Sequence, residues 1–132
     1  VWTHNSTLKL YGLSESNDNF SQGASIISDH NSIYYEANDD SALEVEVIDL
    51  NEFIKNKAHN YVEIILKLDV ESAEYEILNS LIESRVIEKI DVLFVEFHSK
   101  YFKGKEKEKK IEEKILVRKI RSMGVHVVKW NY

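Results

Sequence analysis

Two apolar runs, Tyr61 to Leu68 and Asp91 to Phe97, flank a stretch of helical periodicity, and this triplet constrains the chain more than any other feature. Each run is nearly continuous in apolar residues, partly β-branched and bounded by polar ones, which is how a strand buried on both faces reads. Between them Ala73, Ile77, Leu78, Leu81 and Ile82 recur at i, i+4, i+5, i+8 and i+9, the stripe of an amphipathic helix that ends near Arg85. A strand, a helix of about three turns and a second strand form a βαβ unit, whose right-handed crossover makes the two strands parallel neighbours. The expected fold is α/β, with a mostly parallel sheet and flanking helices.

Upstream of this unit the chain is rich in Ser, Asn and Asp. Thr7 to Tyr11 and Ser32 to Tyr35 alternate as half-buried strands do and give a β-hairpin-like N-terminal region, with the polar stretch Ser14 to Ser25 as its loop. Leu43, Val45 and Val47 alternate with Glu44, Glu46 and Ile48, a strand with one wet face. Asp49 or Asn51 can then cap a short helix through Lys57. Downstream, Lys103 to Lys114 alternates Lys and Glu as a solvated surface does. It leads into Ile111, Ile115, Leu116, Ile120 and Met123 at helical spacing, stopped by Gly124 before a last strand, Val125 to Trp130. No repeat and no linker divides the chain, so residues 1–132 read as one domain.

Charge and composition remove several classes of function. With 23 acidic against 17 basic residues, the net charge of −6 argues against a surface built to hold nucleic acid or anionic lipid. No apolar run reaches the roughly 18 to 20 residues of a membrane span, and the start has no signal-peptide pattern. The expectation is a soluble protein, cytoplasmic by default. The absence of cysteine excludes a disulfide framework, thiolate zinc sites and a cysteine nucleophile. No G-x-S-x-G elbow occurs, and Gly12, Gly23, Gly104 and Gly124 form no phosphate-cradling loop.

Open parallel sheets bind ligands beyond the carboxyl ends of their strands, and both exits here are acidic. The first is Lys67-Leu68-Asp69-Val70-Glu71-Ser72-Ala73-Glu74, in which alternation puts Lys67, Asp69 and Glu71 on one face. The second is Glu96-Phe97-His98, with Glu96 and His98 on one side. Adjacent strands lie about 4.8 Å apart, so Asp69 and Glu71 should approach Glu96 and His98, with Asp69 and His98 at a water-bridged separation of roughly 5 to 7 Å. Such a cluster suits general acid/base work, the orientation of a hydroxyl, or an oxygen-loving divalent ion. The bland alternative has Asp69 capping the next helix, Glu71 and Glu74 decorating its first turn, and His98 as a loop histidine. His4, His30, His59 and His126 show no ligand-like spacing and read as ordinary histidines.

Three runs carry a resemblance: Val47-Ile48-Asp49-Leu50, Leu66 to Leu78 with its Lys67-Leu68-Asp69-Val70-Glu71-Ser72-Ala73-Glu74 core, and Phe94-Val95-Glu96-Phe97-His98. Together they resemble the C-terminal half of FkbM-type methyltransferases, with a Leu-Asp preceding a K-x-D-x-E-G-A-E strand exit and a later V-E strand end. The opening, Val1 to Tyr11, and the Ser21 to Ile27 loop resemble the segment after that family's third core strand. The resemblance implies a partial class I, Rossmann-like methyltransferase sheet and S-adenosylmethionine-dependent transfer to a hydroxyl oxygen of a small molecule or sugar. It also implies that the family's first strand, glycine loop and ribose-binding acid lie upstream of anything resembling Val1, so that residues 1–132 are expected to be an incomplete C-terminal part, inactive alone. Ser72 stands where the family has Gly, and a serine held there at φ > 0 would strain the turn.

On this reading Asp69, Glu71, Glu96 and His98 are the catalytic candidates, and Asp69 and Glu71 also face the donor. Transfer from a sulfonium needs alignment more than acid/base help, so positioning is the cluster's expected work. A non-catalytic module of the same fold, self-associating through an exposed sheet edge beside Leu68, is one alternative. A metal site formed by Asp69, Glu71 and His98 is another.

Overall fold

The βαβ unit forms as its periodicity predicts. In a computed structural model, which describes residues 1–13, 23–30 and 35–130, strand β3 (Ile65–Leu68), helix α2 (Glu74–Glu83) and strand β4 (Val92–Glu96) follow one another. β3 and β4 pair in parallel, from Ile65 opposite Val92 to Leu68 opposite Val95. β5 (His126–Trp130) adds to the other side of β4, again parallel, and gives a three-stranded sheet in the order β3-β4-β5. The central strand carries the buried Leu93 and Val95, and α2 covers the core with Ile77, Leu78, Leu81 and Ile82.

Ahead of this sheet, β1 (Ser6–Leu10) pairs antiparallel with β2 (Leu43–Val47), Ser6 lying opposite Val47 and Leu10 opposite Leu43. Among the described residues the partner of β1 is β2; the strand read at Ser32 to Tyr35 falls largely on residues 32–34, which lie outside the described residues. Residues 14–22 of the polar loop lie outside them as well. α1 (Leu50–Ala58) starts at Asp49, whose side chain accepts the Asn51 and Glu52 amides at 2.8 and 3.3 Å. Trp2 bridges this junction, donating from its amide to Ile48 O at 2.8 Å and accepting from Leu50 N at 3.0 Å. The N-terminus is thereby tied to the start of α1, and α2 packs between α1 and α3 (Glu106–Ser122).

Two expectations need correction. The strand placed at Tyr61 to Leu68 begins only at Ile65, because Tyr61 N bonds back to Ala58 O in the exit of α1 and Ile64 N is held by the Asp91 carboxylate at 2.7 Å. Nor is that run buried on both faces: Tyr61 is 64 % exposed, Val62 fully so, and Ile65 57 %, since β3 is an edge strand of its sheet. In α3 the buried stripe is Glu113, Leu116, Val117 and Ile120, while Ile111 and Ile115 face solvent. The helix is turned so that Glu113 meets Lys129 on β5, an ion pair that apolar spacing cannot show. α3 ends as expected, with Gly124 at φ +91°, a conformation glycine adopts without cost. No helix among the described residues is long and apolar enough to cross a membrane.

Burial separates the two edges of the fold energetically. Leu93→Ala, on the fully buried central strand, should cost about 2–5 kcal/mol in urea unfolding, whereas Ile65→Ala on the open edge should stay within about 0.5 kcal/mol. Equal losses would mean that the outer edge of β3 is covered in solution.

Candidate functional site

The parallel register sets the exits of β3 and β4 side by side. Asp69 leaves β3 one residue after Leu68, and His98 lies two residues beyond the last residue of β4, Glu96. The turn between β3 and α2 is held in an unusual conformation, with Glu71 at φ +48° and Ser72 at φ +81°. Positive φ in non-glycine residues is costly and persists only where the surroundings fix it. Here the fixing group is Glu74, the first residue of α2. Its fully buried carboxylate accepts the amides of Val70 and Ser72 at 3.1 and 3.3 Å.

The same oxygen of Glu74 lies 2.7 Å from Nδ1 of His98. A carboxylate only accepts, so Nδ1 carries the proton of that bond and Nε2 is turned toward the other acids. Nε2 lies 3.4 Å from Glu71 Oε2, 3.8 Å from Asp69 Oδ1 and 3.9 Å from Glu96 Oε1. Asp69 and His98 are closer than the water-bridged separation expected from strand spacing. Lys67 Nζ stands 3.8 Å from the second oxygen of Asp69 and also lies over the Trp130 ring.

His30, read from the sequence as an ordinary histidine, lies against this group. Its fully buried ring makes a 2.7 Å hydrogen bond between Nδ1 and Ser72 Oγ, and Nε2 comes to 3.7 Å from Glu71 Oε2. Glu71 is held from its other side too, because Ser25 Oγ donates to its carbonyl. Neither His30 nor Ser25 could be found by local spacing, since they reach the turn across 42 and 46 positions. Glu74 was visible, but as a first-turn acid it read as helix-dipole decoration. Nor does Asp69 cap α2, whose N-cap Ala73 makes no side-chain bond.

These contacts set the protonation pattern. Burial alone would lower the His98 pKa, but the hydrogen bond and charge of Glu74, with the charges of Glu71 and Glu96, outweigh it and hold the imidazole above its ordinary value. Burial raises the Glu71 carboxyl; the His98 charge opposes this, and Asp69, Glu74 and Glu96 add to it. His30 is pushed down to about 4 by burial and then by the neighbouring His98, so it stays neutral while His98 takes the proton. A cleft of about 300 Å³ opens between the two sheets and is lined by Leu10, Val47, Asp69 and Glu71. It reaches those carboxylates and not His98, so a ligand meets Asp69 and Glu71 first.

Residues 3–125 match the family model described as the methyltransferase FkbM domain. No curated protein and no solved structure matches the chain.

Ser72 tests how the turn is held. Ser72→Ala keeps the strained φ and leaves buried His30 Nδ1 without its partner, a loss of about 1–3 kcal/mol. Ser72→Gly loses the same bond but relieves roughly 1 kcal/mol or more of backbone strain. Chemical denaturation should therefore rank wild type above Ser72→Gly and Ser72→Gly above Ser72→Ala; an alanine variant as stable as wild type would remove His30 from the account of the turn.

Proposed function

Because the chain belongs to the FkbM methyltransferase family, we propose that it serves methyl transfer from S-adenosylmethionine to a hydroxyl oxygen of a small molecule or sugar, at the group formed by Asp69, Glu71, Glu96 and His98. The observation that carries this reading is the convergence of the Asp69, Glu71 and Glu96 carboxylates on His98 Nε2, at the carboxyl ends of adjacent parallel strands.

Part of the donor fits the residues present. Asp69 and Glu71 line the cleft as acids that complement a sulfonium and an ammonium group. No glycine of the 132 residues opens a helix as a Gly-x-Gly turn does, so this chain offers the charged end of the donor a site and its nucleotide end none of that kind. When bound, such a donor supplies an electrophilic methyl group.

The chain's own groups then position the acceptor. Glu96, whose side chain is 16 % exposed, can accept the acceptor's hydroxyl hydrogen, and His98 Nε2, when unprotonated, can take that proton as the carbon–oxygen bond forms and the carbon–sulfur bond breaks. Glu74 fixes the ring of His98 through Nδ1 and acts through it as a positioning residue. Alignment supplies most of the gain, since a preset geometry removes entropy from the barrier.

A non-catalytic module of the same fold is the second reading, favoured by the missing glycine turn. Two measurements separate them. Titrated by calorimetry, the 132-residue chain should bind S-adenosylmethionine more weakly than micromolar; micromolar binding, about −8 kcal/mol, would show that these residues alone build a working donor pocket. In the product of the full reading frame, methyl-labelled donor should label a hydroxyl acceptor, and Glu96→Gln or His98→Asn should slow turnover about 10²- to 10⁴-fold with the fold intact. Transfer at the wild-type rate in both variants would take the chemistry away from this site, and no transfer to any hydroxyl would favour the module.

A further inference from the structure

We propose that Asp69, Glu71 and His98 bind one divalent first-row transition cation, of which Mn²⁺ is the probe, with Glu96 within reach as a fourth donor. One ligand atom from each of the three residues lies within 4.8 Å of the other two. Donor atoms about 2.1 Å from one ion stand roughly 3.0 to 3.4 Å apart, so the observed 3.4 Å from His98 Nε2 to Glu71 and 3.8 Å to Asp69 need a contraction of a few tenths of an ångström. Both carboxylates stand on the turn and in the cleft, where such a movement displaces no core side chain.

An independent observation comes from outside the acid cluster. His30 is fully buried, yet its Nε2 has no hydrogen-bond partner among the described residues and points at Glu71 Oε2 from 3.7 Å. A buried polar nitrogen left unmatched is uncommon, and here it faces the cluster of acids around His98. With Nδ1 engaged by Ser72 Oγ, Nε2 is available either to the ion's hydration water or to the Glu71 oxygen that turns away from the ion.

The chemistry of the donor set selects the class of ion. Four carboxylates, Asp69, Glu71, Glu74 and Glu96, surround one imidazole, and among the described residues Lys67 is the only lysine in ion-pair contact with them. That excess of negative charge favours a dication. Imidazole nitrogen with carboxylate oxygen suits manganese, iron or zinc better than calcium or magnesium, which prefer oxygen alone. The bond from His98 Nδ1 to Glu74 is the outer contact that metal-bound histidines commonly make, and it leaves Nε2 to the ion. Binding itself does not depend on methyl transfer, so the two proposals fail separately.

The test is a calorimetric titration of the chelator-treated chain with MnCl₂, run beside CaCl₂. One Mn²⁺ per chain with a dissociation constant of about 10 μM or tighter is expected, at least tenfold tighter than Ca²⁺. Asp69→Asn and Glu71→Gln, at partly exposed positions that leave the core untouched, should each weaken it tenfold or more while circular dichroism stays unchanged. Paramagnetic broadening of the ¹⁵N signals of the His98 ring should appear with substoichiometric Mn²⁺ and places the ion beside that ring without any substitution. Binding absent at millimolar Mn²⁺, affinity unchanged in both variants, Ca²⁺ bound as tightly as Mn²⁺, or a His98 ring left sharp would each overturn the proposal.

Discussion

The buried carboxylate of Glu74 holds together two strand exits that would otherwise be independent loops. One oxygen accepts the Val70 and Ser72 amides and faces the Nδ1 proton of His98, which ties the turn after β3 to the segment after β4. A carboxylate taken out of water is costly unless hydrogen-bond partners are in place, so the turn, the helix start and the histidine support one another. The positive φ values at Glu71 and Ser72 follow from this. With the Val70 and Ser72 amides drawn inward to Glu74, the backbone between them turns left-handed, and that turn aims the Glu71 side chain at His98 Nε2. The candidate site is thus a consequence of one hydrogen-bonding requirement at the start of α2.

Much of this was legible in the sequence, and the reason is periodicity. The stripe of α2, the apolar run of β4 and the Asp49 cap each depend on neighbours within a few positions, and all three form as read. The failures also share a cause. Tyr61 to Ile64 are apolar enough for a strand, but a strand needs a partner, and among the described residues β3 has one on only one side. In α3, Ile111 and Ile115 fit the helical stripe, yet the inward face is that of Leu116, Val117 and Ile120, with Glu113 paired to Lys129 beside them. His30 reaches the site through tertiary contacts alone, so a scan for ligand-like spacing passes over it.

The resemblance to FkbM methyltransferases adds a constraint that local patterning lacks. Where that family carries glycine, this chain has Ser72 at φ +81°, a value glycine reaches freely and serine does not. The strain is offset locally, because the Ser72 hydroxyl meets a histidine nitrogen that is itself buried. Ser72 and His30 therefore form one unit: a serine without the histidine would bury an unmatched hydroxyl, and a histidine opposite glycine would leave Nδ1 unmatched.

The electrostatics of the site narrow what can enter it. Asp69 and Glu71 stand at the cleft, Glu96 and Glu74 lie behind them, and the compensating positive groups are Lys67 at the rim and His98 within. A phosphate or carboxylate ligand would approach against that field in a partly desolvated cleft, where like charges repel more strongly than in water. A sulfonium, an ammonium or a metal dication would approach with it. Both proposed occupants are cations for that reason, and they would meet the same two carboxylates. Because Glu71 faces His98 and His30 as well as the cleft, it is the residue on which occupancy by either cation and the protonation of His98 are coupled. A sulfonium or ammonium group placed against Glu71 would weaken the attraction that keeps the proton on His98, whereas a metal dication would take Nε2 itself.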